Sequence, residues 1–338
     1  SLKSSSLKPT VKEFILLFTC AGGGLSVELR RRVLLGDKYK IKIIDVDHNN
    51  SQNAKLFCDS FELVPNGNDV KYSKSIEKLV IKYKVNMVIP CSDEEALALS
   101  KDRNEIERHG CALACTDHKT LKILSSKIKT YRVLKKHGIY IPEFYEVNSL
   151  DALDSKLSYF LDNNIDTVVK PSSGRGGRNV SIISNNDSSN CIIKKDFLKN
   201  KIKYYENLFP VIVMERLIEP IYDIDILSYQ GVLKRSVVRR RLNPEKPNDG
   251  HIIENIKSLH DLANNIARIF NLSWLYDCDV MMSKNGIPMV LEINPRPSGS
   301  IAISIASGLN FIEDMIALHK KEELDNYEII NHRIITPF

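Results

Sequence analysis

Short apolar runs alternate with stretches of helical spacing in the first third of the chain. Residues 13–20 (EFILLFTC), 40–46 (KIKIIDV) and 85–90 (VNMVIP) have the length and composition of strands that are buried on both faces. A helical pattern precedes the third run at residues 73–83, and Ser92 is placed to cap the helix that follows it. This order predicts a doubly wound, mostly parallel α/β sheet.

The middle of the chain combines one helical pattern with a glycine-rich hairpin. Residues 120–137 place their apolar side chains on one side of a helix, and Gly138 stands where a helix ends. Strands are predicted at residues 166–170 and 181–183, on either side of a glycine-rich loop. A glycine-rich loop between two strands is a hairpin, whereas a P-loop joins a strand to a helix.

The last third of the chain has the pattern of a further sheet with helices. Gln230-Gly231 predicts the turn of a meander, and Lys284-Asn285-Gly286 predicts another hairpin. The predicted strands are residues 211–214, 223–228, 232–238, 277–282 and 288–293, and the predicted helices are residues 258–270, 302–307 and 311–320.

Composition narrows the class of protein. The 338 residues are too many for one average domain and favour two or three packed units. A net charge of +6 (48 Lys and Arg against 42 Asp and Glu) with a single Trp does not favour nucleic-acid binding.

No apolar run approaches the roughly 20 residues that span a bilayer, and residues 1–10 are polar without a signal-peptide core, so we expect a cytoplasmic protein with a flexible tail. The seven cysteines form no C-x-x-C pair, which favours reduced thiols over structural zinc.

Oxygen-bearing side chains cluster on the predicted C-terminal hairpin. Asp279 lies on one strand and Glu292 on its partner, and Asn294 lies two residues further along the same face. Two carboxylates and an amide oxygen, without sulfur or imidazole, favour a hard cation such as Mg²⁺ that carries nucleotide phosphates. Arg296 follows in the same alternation and is suited to hold a developing phosphate charge. The alternative is a solvated hairpin, which the stiff N-P-R-P segment disfavours.

A lysine and a glycine-rich loop suit phosphate binding. Lys170 ends a predicted strand, from where it can reach the inner phosphates of a nucleotide. Backbone N–H groups of the loop can cover the outer phosphates, because glycine lets the main chain approach closely. Many glycine-rich hairpins only form a turn, so the loop by itself leaves both interpretations open. The loop positions concerned are Ser173, Gly174, Gly176 and Gly177.

Five motifs in order make the chain resemble an ATP-grasp enzyme. They are S-K-I-K-T-Y around Lys127, G-I-Y-I-P at residues 138–142, Lys170 with its glycine-rich loop, E-R-L-I at residues 215–218 and E-I-N-P-R at residues 292–296. The likeness covers residues 11–324. It is greatest to the carbamoyl-phosphate-synthase-like branch, as a stand-alone carboxylate–amine ligase, in which E-x-N-P-R precedes a helix of small residues.

The resemblance implies a Rossmann-like pre-ATP-grasp domain followed by a two-lobed ATP-grasp fold, with ATP between the lobes. The implied divisions are a flexible tail at residues 1–10, a pre-ATP-grasp α/β domain at 11–118, a small lobe at 119–209, a large lobe at 210–325 and a C-terminal extension at 326–338.

The resemblance also implies roles for individual residues. Lys127 and Lys170 would contact the ATP phosphates, and Asp223 stands where the family usually has a ribose-binding Glu. The implied hinge that holds the adenine consists of Glu215, Arg216, Leu217 and Ile218. The implied ligands of Mg²⁺ or Mn²⁺ are Asp279, Glu292 and Asn294, with Arg296 facing the transferred phosphate.

Several arginines lie on and just after the predicted strand at residues 232–238. With strand alternation, Arg239 and Arg241 share one face and Arg240 takes the other. We predict that Arg240 clamps a substrate carboxylate in the catalytic site. A solvated basic edge strand is the alternative.

The expected activity is the one that the resemblance implies. A carboxylate would attack the γ-phosphate of ATP to form an acyl phosphate and ADP, and an amine would then displace phosphate. The partners would be small molecules, such as amino acids or sugar acids, and a homodimer through the N-terminal domain is one expected assembly. A kinase on the same fold and a nucleotide-binding module without turnover are the alternatives.

Overall fold

The computed structural model describes residues 12–23, 26–50, 52–172, 179–188 and 190–336. Within these ranges the strands form a parallel, a mixed and an antiparallel sheet, in chain order. An α/β unit followed by two α+β units is the predicted fold class, which is confirmed. The predicted flexible tail at residues 1–10 lies outside the described residues.

The first sheet is parallel, and its central strands are buried. Its strands are β1 (Phe14–Phe18), β2 (Ile41–Asp47), β3 (Ser60–Leu63), β4 (Met87–Ile89) and β5 (Ala112–Leu113), and its helices are α1 (Ser26–Leu34), α2 (Tyr72–Tyr83), α3 (Asp93–Lys101), α4 (Arg103–Glu107) and α5 (His118–Leu124). Ser92 caps α3 as predicted, because its Oγ accepts a hydrogen bond from the Glu95 N–H at 3.4 Å. The strand order β3-β2-β1-β4-β5 reverses between β1 and β4, and ligands of such sheets bind outside the strand ends at this point.

The single helix predicted at residues 120–137 is wrong, because two helices occupy the segment. After α5, the chain begins α6 (Lys127–Lys136) with a new N-cap, in which the Ser126 hydroxyl accepts a hydrogen bond from the Lys129 N–H at 3.3 Å. Apolar spacing continues through both helices, so periodicity could not show the break, although serine is a preferred N-cap residue. The break places Lys127 at the first position of α6.

The second sheet contains the predicted glycine-rich hairpin. Its strands are β6 (Phe144–Val147), β7 (Thr167–Pro171), β8 (Ser181–Ser184), β9 (Ile192–Ile193) and β10 (Val211–Glu215), and its helices are α7 (Leu150–Asp162), α8 (Lys194–Asn200) and α9 (Ile202–Glu206). β7 and β8 pair antiparallel, so the hairpin is confirmed. Helix α7 was not predicted, although its buried positions Leu153, Leu157 and Phe160 have helical spacing.

The third sheet is antiparallel and has a helix on each face. Its strands are β11 (Ile218–Tyr229), β12 (Val232–Arg241), β13 (His251–Glu254), β14 (Trp274–Met282), β15 (Pro288–Asn294) and β16 (Ile334–Ile335), and the helices are α10 (Lys257–Ile269), α11 (Ile301–Ala306) and α12 (Phe311–His319). The strand order is β15-β14-β11-β12-β13-β16. α10 packs on the face that carries Ile224 and Val238, whereas α11 packs on the face of Leu227 and Val237.

None of the helices in the described ranges has the length and hydropathy of a membrane span.

Candidate active site

One face of the third sheet carries a row of carboxylate and amide side chains. Antiparallel pairing places Asp279 of β14 between Asp223 of β11 and Glu292 of β15. Two residues along β14, Asp277 pairs with Asn294. Residues paired across antiparallel strands share a face of the sheet. The three predicted metal ligands therefore lie on one face, and their role as ligands stays a prediction.

Asp223, Asp277 and Asp279 form a carboxylate cluster, in which one oxygen of each lies within 4.8 Å of the others. Asp277 Oδ1 and Asp279 Oδ1 are buried and receive no hydrogen bond from the described part of the chain. Burial and then the neighbouring carboxylates raise the pKa of Asp279 well above its ordinary value, and burial raises the pKa of Asp277 to about 8. Carboxylates in this arrangement favour a cation between them. Asp277 was not among the predicted ligands, although its i+2 relation to Asp279 indicates that the two residues share a face.

Arg241 balances part of the charge of this cluster. Its Nη2 and Nε atoms donate hydrogen bonds to the two oxygens of Asp223 at 2.7 and 2.8 Å, and Nη2 lies 3.6 Å from Asp279 Oδ2. Burial opposes ionisation of Asp223, but the hydrogen bonds from Arg241 hold the pKa of this carboxyl well below its ordinary value. Asp223 is only 3 % exposed. Asp223 is thus paired with Arg241 within the cluster, and its predicted ribose contact stays a prediction.

Two lysines from the neighbouring lobe lie near Glu292. Lys127, at the start of α6, has its Nζ 3.5 Å from Glu292 Oε1. Lys170, on β7, is 8 % exposed, and no described residue accepts a hydrogen bond from its Nζ. Burial and then the charge of Lys127 lower the pKa of Lys170 to about 8, while Glu292 opposes this shift. The two ammonium groups lie beside the row of carboxylates, and together they suit the binding of an anion.

The predicted adenine hinge connects the second sheet to the third. Glu215 ends β10, where its N–H donates to the Glu143 carbonyl at 3.0 Å and its Oε1 accepts from the Glu143 N–H at 2.8 Å. The Arg216 N–H donates to a backbone carbonyl next to β7 at 2.8 Å. Leu217 is buried, whereas Ile218 is 44 % exposed. The hinge is thus held by its polar residues and presents an apolar side chain at Ile218.

Arg296 stands between the first sheet and the carboxylate cluster. Its Nε lies 3.2 Å from Asp93 Oδ1 at the start of α3, and its Nη1 lies 3.8 Å from Asp277 Oδ1. Nη1 also donates a hydrogen bond to the Pro297 carbonyl at 3.2 Å. The guanidinium is therefore at the edge of the row of carboxylates, next to the predicted metal ligands.

Arg240 faces the opposite side of the sheet, so the structure does not bring it together with the other predicted site residues, and its predicted catalytic role stays a prediction. It pairs with Tyr222 across the strands, and its Nε donates to Glu254 Oε1 at 3.0 Å on the face covered by α10. Alternation assigned the two faces correctly, and the carboxylates lie on the face of Arg239 and Arg241. Arg241, which the prediction passed over, lies on the carboxylate face.

The glycine-rich loop positions Ser173, Gly174, Gly176 and Gly177 lie outside the described residues, so their predicted phosphate contacts stay a prediction.

A crevice opens where the strand order of the first sheet reverses. Cys20 follows β1 and Cys91 follows β4, and both line the crevice together with Ser298 and Ile301 from the third-sheet side. Since Ser298 is two residues after Arg296, the crevice adjoins the Arg296 end of the carboxylate row. The position outside the carboxyl ends of parallel strands is typical of a ligand site.

A sheet-bound carboxylate row that faces two lysines of a neighbouring lobe is typical of a two-lobed nucleotide-binding enzyme. Family models match the chain in consecutive parts: residues 17–114 match a PylC-like N-terminal domain, residues 124–214 an ATP-grasp domain, and residues 207–335 an ATP-grasp in the biosynthetic pathway with Ter operon. Two ATP-grasp models thus match adjoining parts of the chain, and the resemblance to ATP-grasp proteins that its motifs predict is confirmed.

A curated relative is an uncharacterized protein of Methanocaldococcus jannaschii, 25% identical over 213 residues. The aligned region covers 60% of this chain and 48% of that protein, so the chain spans about half the length of the curated relative that it matches.

Solved structures share the fold at low sequence identity. N5-carboxyaminoimidazole synthetase from Staphylococcus aureus, complexed with ADP, is 15% identical with a TM-score of 0.69 and covers 94% of this chain and 80% of that one. L-amino acid ligase from Bacillus licheniformis is 15% identical with a TM-score of 0.66, covering 91% and 73%. The biotin carboxylase domain of the Hydrogenobacter thermophilus 2-oxoglutarate carboxylase, in complex with MgADP and bicarbonate, is 14% identical with a TM-score of 0.69, covering 95% and 73%.

Proposed function

We propose that the protein is an ATP-dependent ligase that joins a carboxylate to an amine and releases ADP and phosphate. The observation that carries the proposal is the ion pair of Lys127 with Glu292 beside the carboxylate row, together with the buried Lys170, whose pKa the charges of both residues shift. Cations on one lobe and hard oxygen ligands on the other suit the phosphates and the metal ion of one Mg²⁺–ATP complex. The names of the structural neighbours, a synthetase, a ligase and a carboxylase, support this class of reaction.

The divalent ion would be held by Asp279, Glu292 and Asn294. Their donor atoms are all oxygens, and the buried Asp279 Oδ1 receives no hydrogen bond from a described residue, so the residues fit Mg²⁺ or Mn²⁺. When bound, the ion would neutralise charge on the phosphate oxygens. The lysines would bind and orient the phosphates, and Ile218 would contact the adenine at the hinge.

The substrate carboxylate would lie where the crevice meets Arg296. In the proposed reaction its oxygen bonds to the γ-phosphorus of ATP as the bond to ADP breaks, and the amine nitrogen then bonds to the acyl carbon as phosphate leaves. Arg296 would neutralise the charge that spreads over the transferred phosphoryl group. Cys20 and Cys91 would line the pocket for the rest of the substrate.

A screen of amino acids and sugar acids for phosphate release, with Mg²⁺–ATP, tests the proposal. We expect release only when a carboxylate and an amine are both supplied. A stable phosphorylated product with a single acceptor would instead identify a kinase. Glu292→Gln should lower Mg²⁺-dependent turnover by about 100-fold or more, whereas the control Glu254→Gln, on the opposite face, should not. Normal turnover of the Glu292 variant would contradict the metal assignment.

A further inference from the structure

Arg239 is a buried arginine on the carboxylate face of β12 to which the proposed reaction assigns no role. Its side chain is 0% exposed, and its Nε donates to Asp225 Oδ2 at 2.9 Å. Nη1 donates to Ser300 Oγ at 2.9 Å and Nη2 donates to Ser298 Oγ at 3.2 Å. One side chain thereby ties the sheet to the turn that leads into α11.

The contacts of Arg239 use the shape of the guanidinium as well as its charge. A buried ion pair needs further hydrogen bonds to offset desolvation, and here they come from several segments. Besides the serines, Nη1 lies 3.1 Å from His251 Nδ1, and His251 Nε2 lies 2.5 Å from the Pro247 carbonyl. The N–H groups of the planar Arg239 guanidinium form a fork of fixed geometry. This fork can hold these groups together, which a lysine ammonium cannot do.

The turn held by Arg239 directly follows Arg296. The Arg296 N–H donates to the Asn294 carbonyl at 2.8 Å, which continues the path from β15. Within the turn, the Ser300 N–H donates to Ser298 Oγ at 2.9 Å, and the two hydroxyl oxygens are 2.9 Å apart. The path of the backbone between Asn294 and α11, and with it the place of Arg296, therefore depends on where Arg239 holds the two serines.

We propose that Arg239 is a positioning residue, which holds the turn at Ser298 and Ser300 so that Arg296 faces the reacting phosphoryl group. This inference rests on the proposed function, in which Arg296 neutralises that group. Loss of the fork should weaken binding of the transition state and leave binding of the nucleotide itself unchanged, because the hinge and the two lysines lie on other elements.

Calorimetric binding of Mg²⁺–ADP, with and without fluoroaluminate, tests this role without knowledge of the substrates. Fluoroaluminate beside ADP mimics the phosphoryl group in transfer. Arg239→Lys keeps the charge beside Asp225 but loses the fork. We expect its ADP affinity to stay within about twofold of the wild type, and the gain in affinity from fluoroaluminate to fall about tenfold or more. Arg240→Lys, the neighbouring arginine on the opposite face, is the matched control and should change neither value.

Replacing the partners of the fork provides an independent variant. The double variant Ser298→Ala with Ser300→Ala should lose the same gain in ADP affinity from fluoroaluminate. Adding Arg239→Lys to it should lower this gain no further, because both changes break the same contacts between Arg239 and the two serines. If thermal unfolding shows that Arg239→Lys does not fold, the same calorimetric measurements on the serine variant test the proposal. Full retention of the gain, or additive losses, would overturn the positioning role alone. A wild-type protein that binds Mg²⁺–ADP but gains nothing from fluoroaluminate would overturn the proposed function and this inference together.

Discussion

Replacing Lys170 by methionine is expected to make the protein more stable and less able to bind ATP. The Lys170 side chain is 8% exposed and has no hydrogen-bond acceptor among the described residues. Methionine has a similar length and is apolar, so it can fill the same space without a charge. In the protein without ligand the ammonium group therefore has a cost of burial that no hydrogen bond to a described residue offsets, and a bound anion would offset it.

The size of this cost follows from the pKa of Lys170. Burial is its largest cause, and it lowers the pKa from 10.5 to about 8. Since one pKa unit corresponds to about 1.4 kcal/mol, the charged form destabilises the folded state by about 3 kcal/mol at pH 7. We expect the free energy of unfolding of Lys170→Met to exceed that of the wild type by an amount up to about 3 kcal/mol.

The difference between the two proteins should depend on pH. Below pH 8 the lysine is protonated in both the folded and the unfolded state, so the full cost is present. Between pH 8 and 10.5 the unfolded state binds more protons than the folded state, and the stability of the wild type therefore rises with pH. The advantage of the methionine variant should shrink to less than half by about pH 9.5.

Urea unfolding at pH 7 and pH 9.5, together with ATP titrations at pH 7, would measure both effects. The matched control is Lys199→Met, an exposed lysine on α8, which should change neither stability nor ATP affinity. ATP affinity of the Lys170 variant should fall by about tenfold or more, because a charge-assisted contact to phosphate is lost. A destabilised variant, or a gain in stability that is the same at both pH values, would refute the reasoning.

Three further predictions concern the same lobe and the faces of the third sheet. ATP binding at pH 9 should add a proton to Lys170. The calorimetric enthalpy of ATP binding should therefore differ between buffers that have different ionisation enthalpies, and equal enthalpies would argue against the phosphate contact. Ser126→Ala should lower the free energy of unfolding by about 1 kcal/mol in urea titrations through loss of the α6 N-cap, and an unchanged value would show that the cap is not needed. Arg240→Gln should leave turnover within about twofold of the wild type, since its side chain faces α10; a tenfold loss would return Arg240 to the site.

The parts of the fold that follow from local patterns could be predicted from the sequence. Apolar runs identified β1 and β4, and turn residues identified the hairpin of β14 and β15, because neighbouring residues alone determine these features. The short strand β16 was missed because it pairs only with a distant part of the chain, as in the contact of His251 with Ile335. Strand β13 was missed because a long connection, and not a tight turn, joins it to β12. The break between α5 and α6 was missed because apolar positions continue at helical spacing from Leu121 to Leu134.

The same distinction explains how far the candidate site could be predicted. Strand alternation placed Glu292 and Asn294 on one face with Asp279, because a short turn joins their strands. The charges that accompany these ligands depend on the order of strands in the sheet, which sets β11 between β14 and β12. That order brings Arg241 within 3.6 Å of Asp279, where the arginine lowers the repulsion among carboxylates that are crowded within one cluster. A divalent ion that enters the cluster would compete with this guanidinium, so the balance of charge at the site depends on a residue outside every motif.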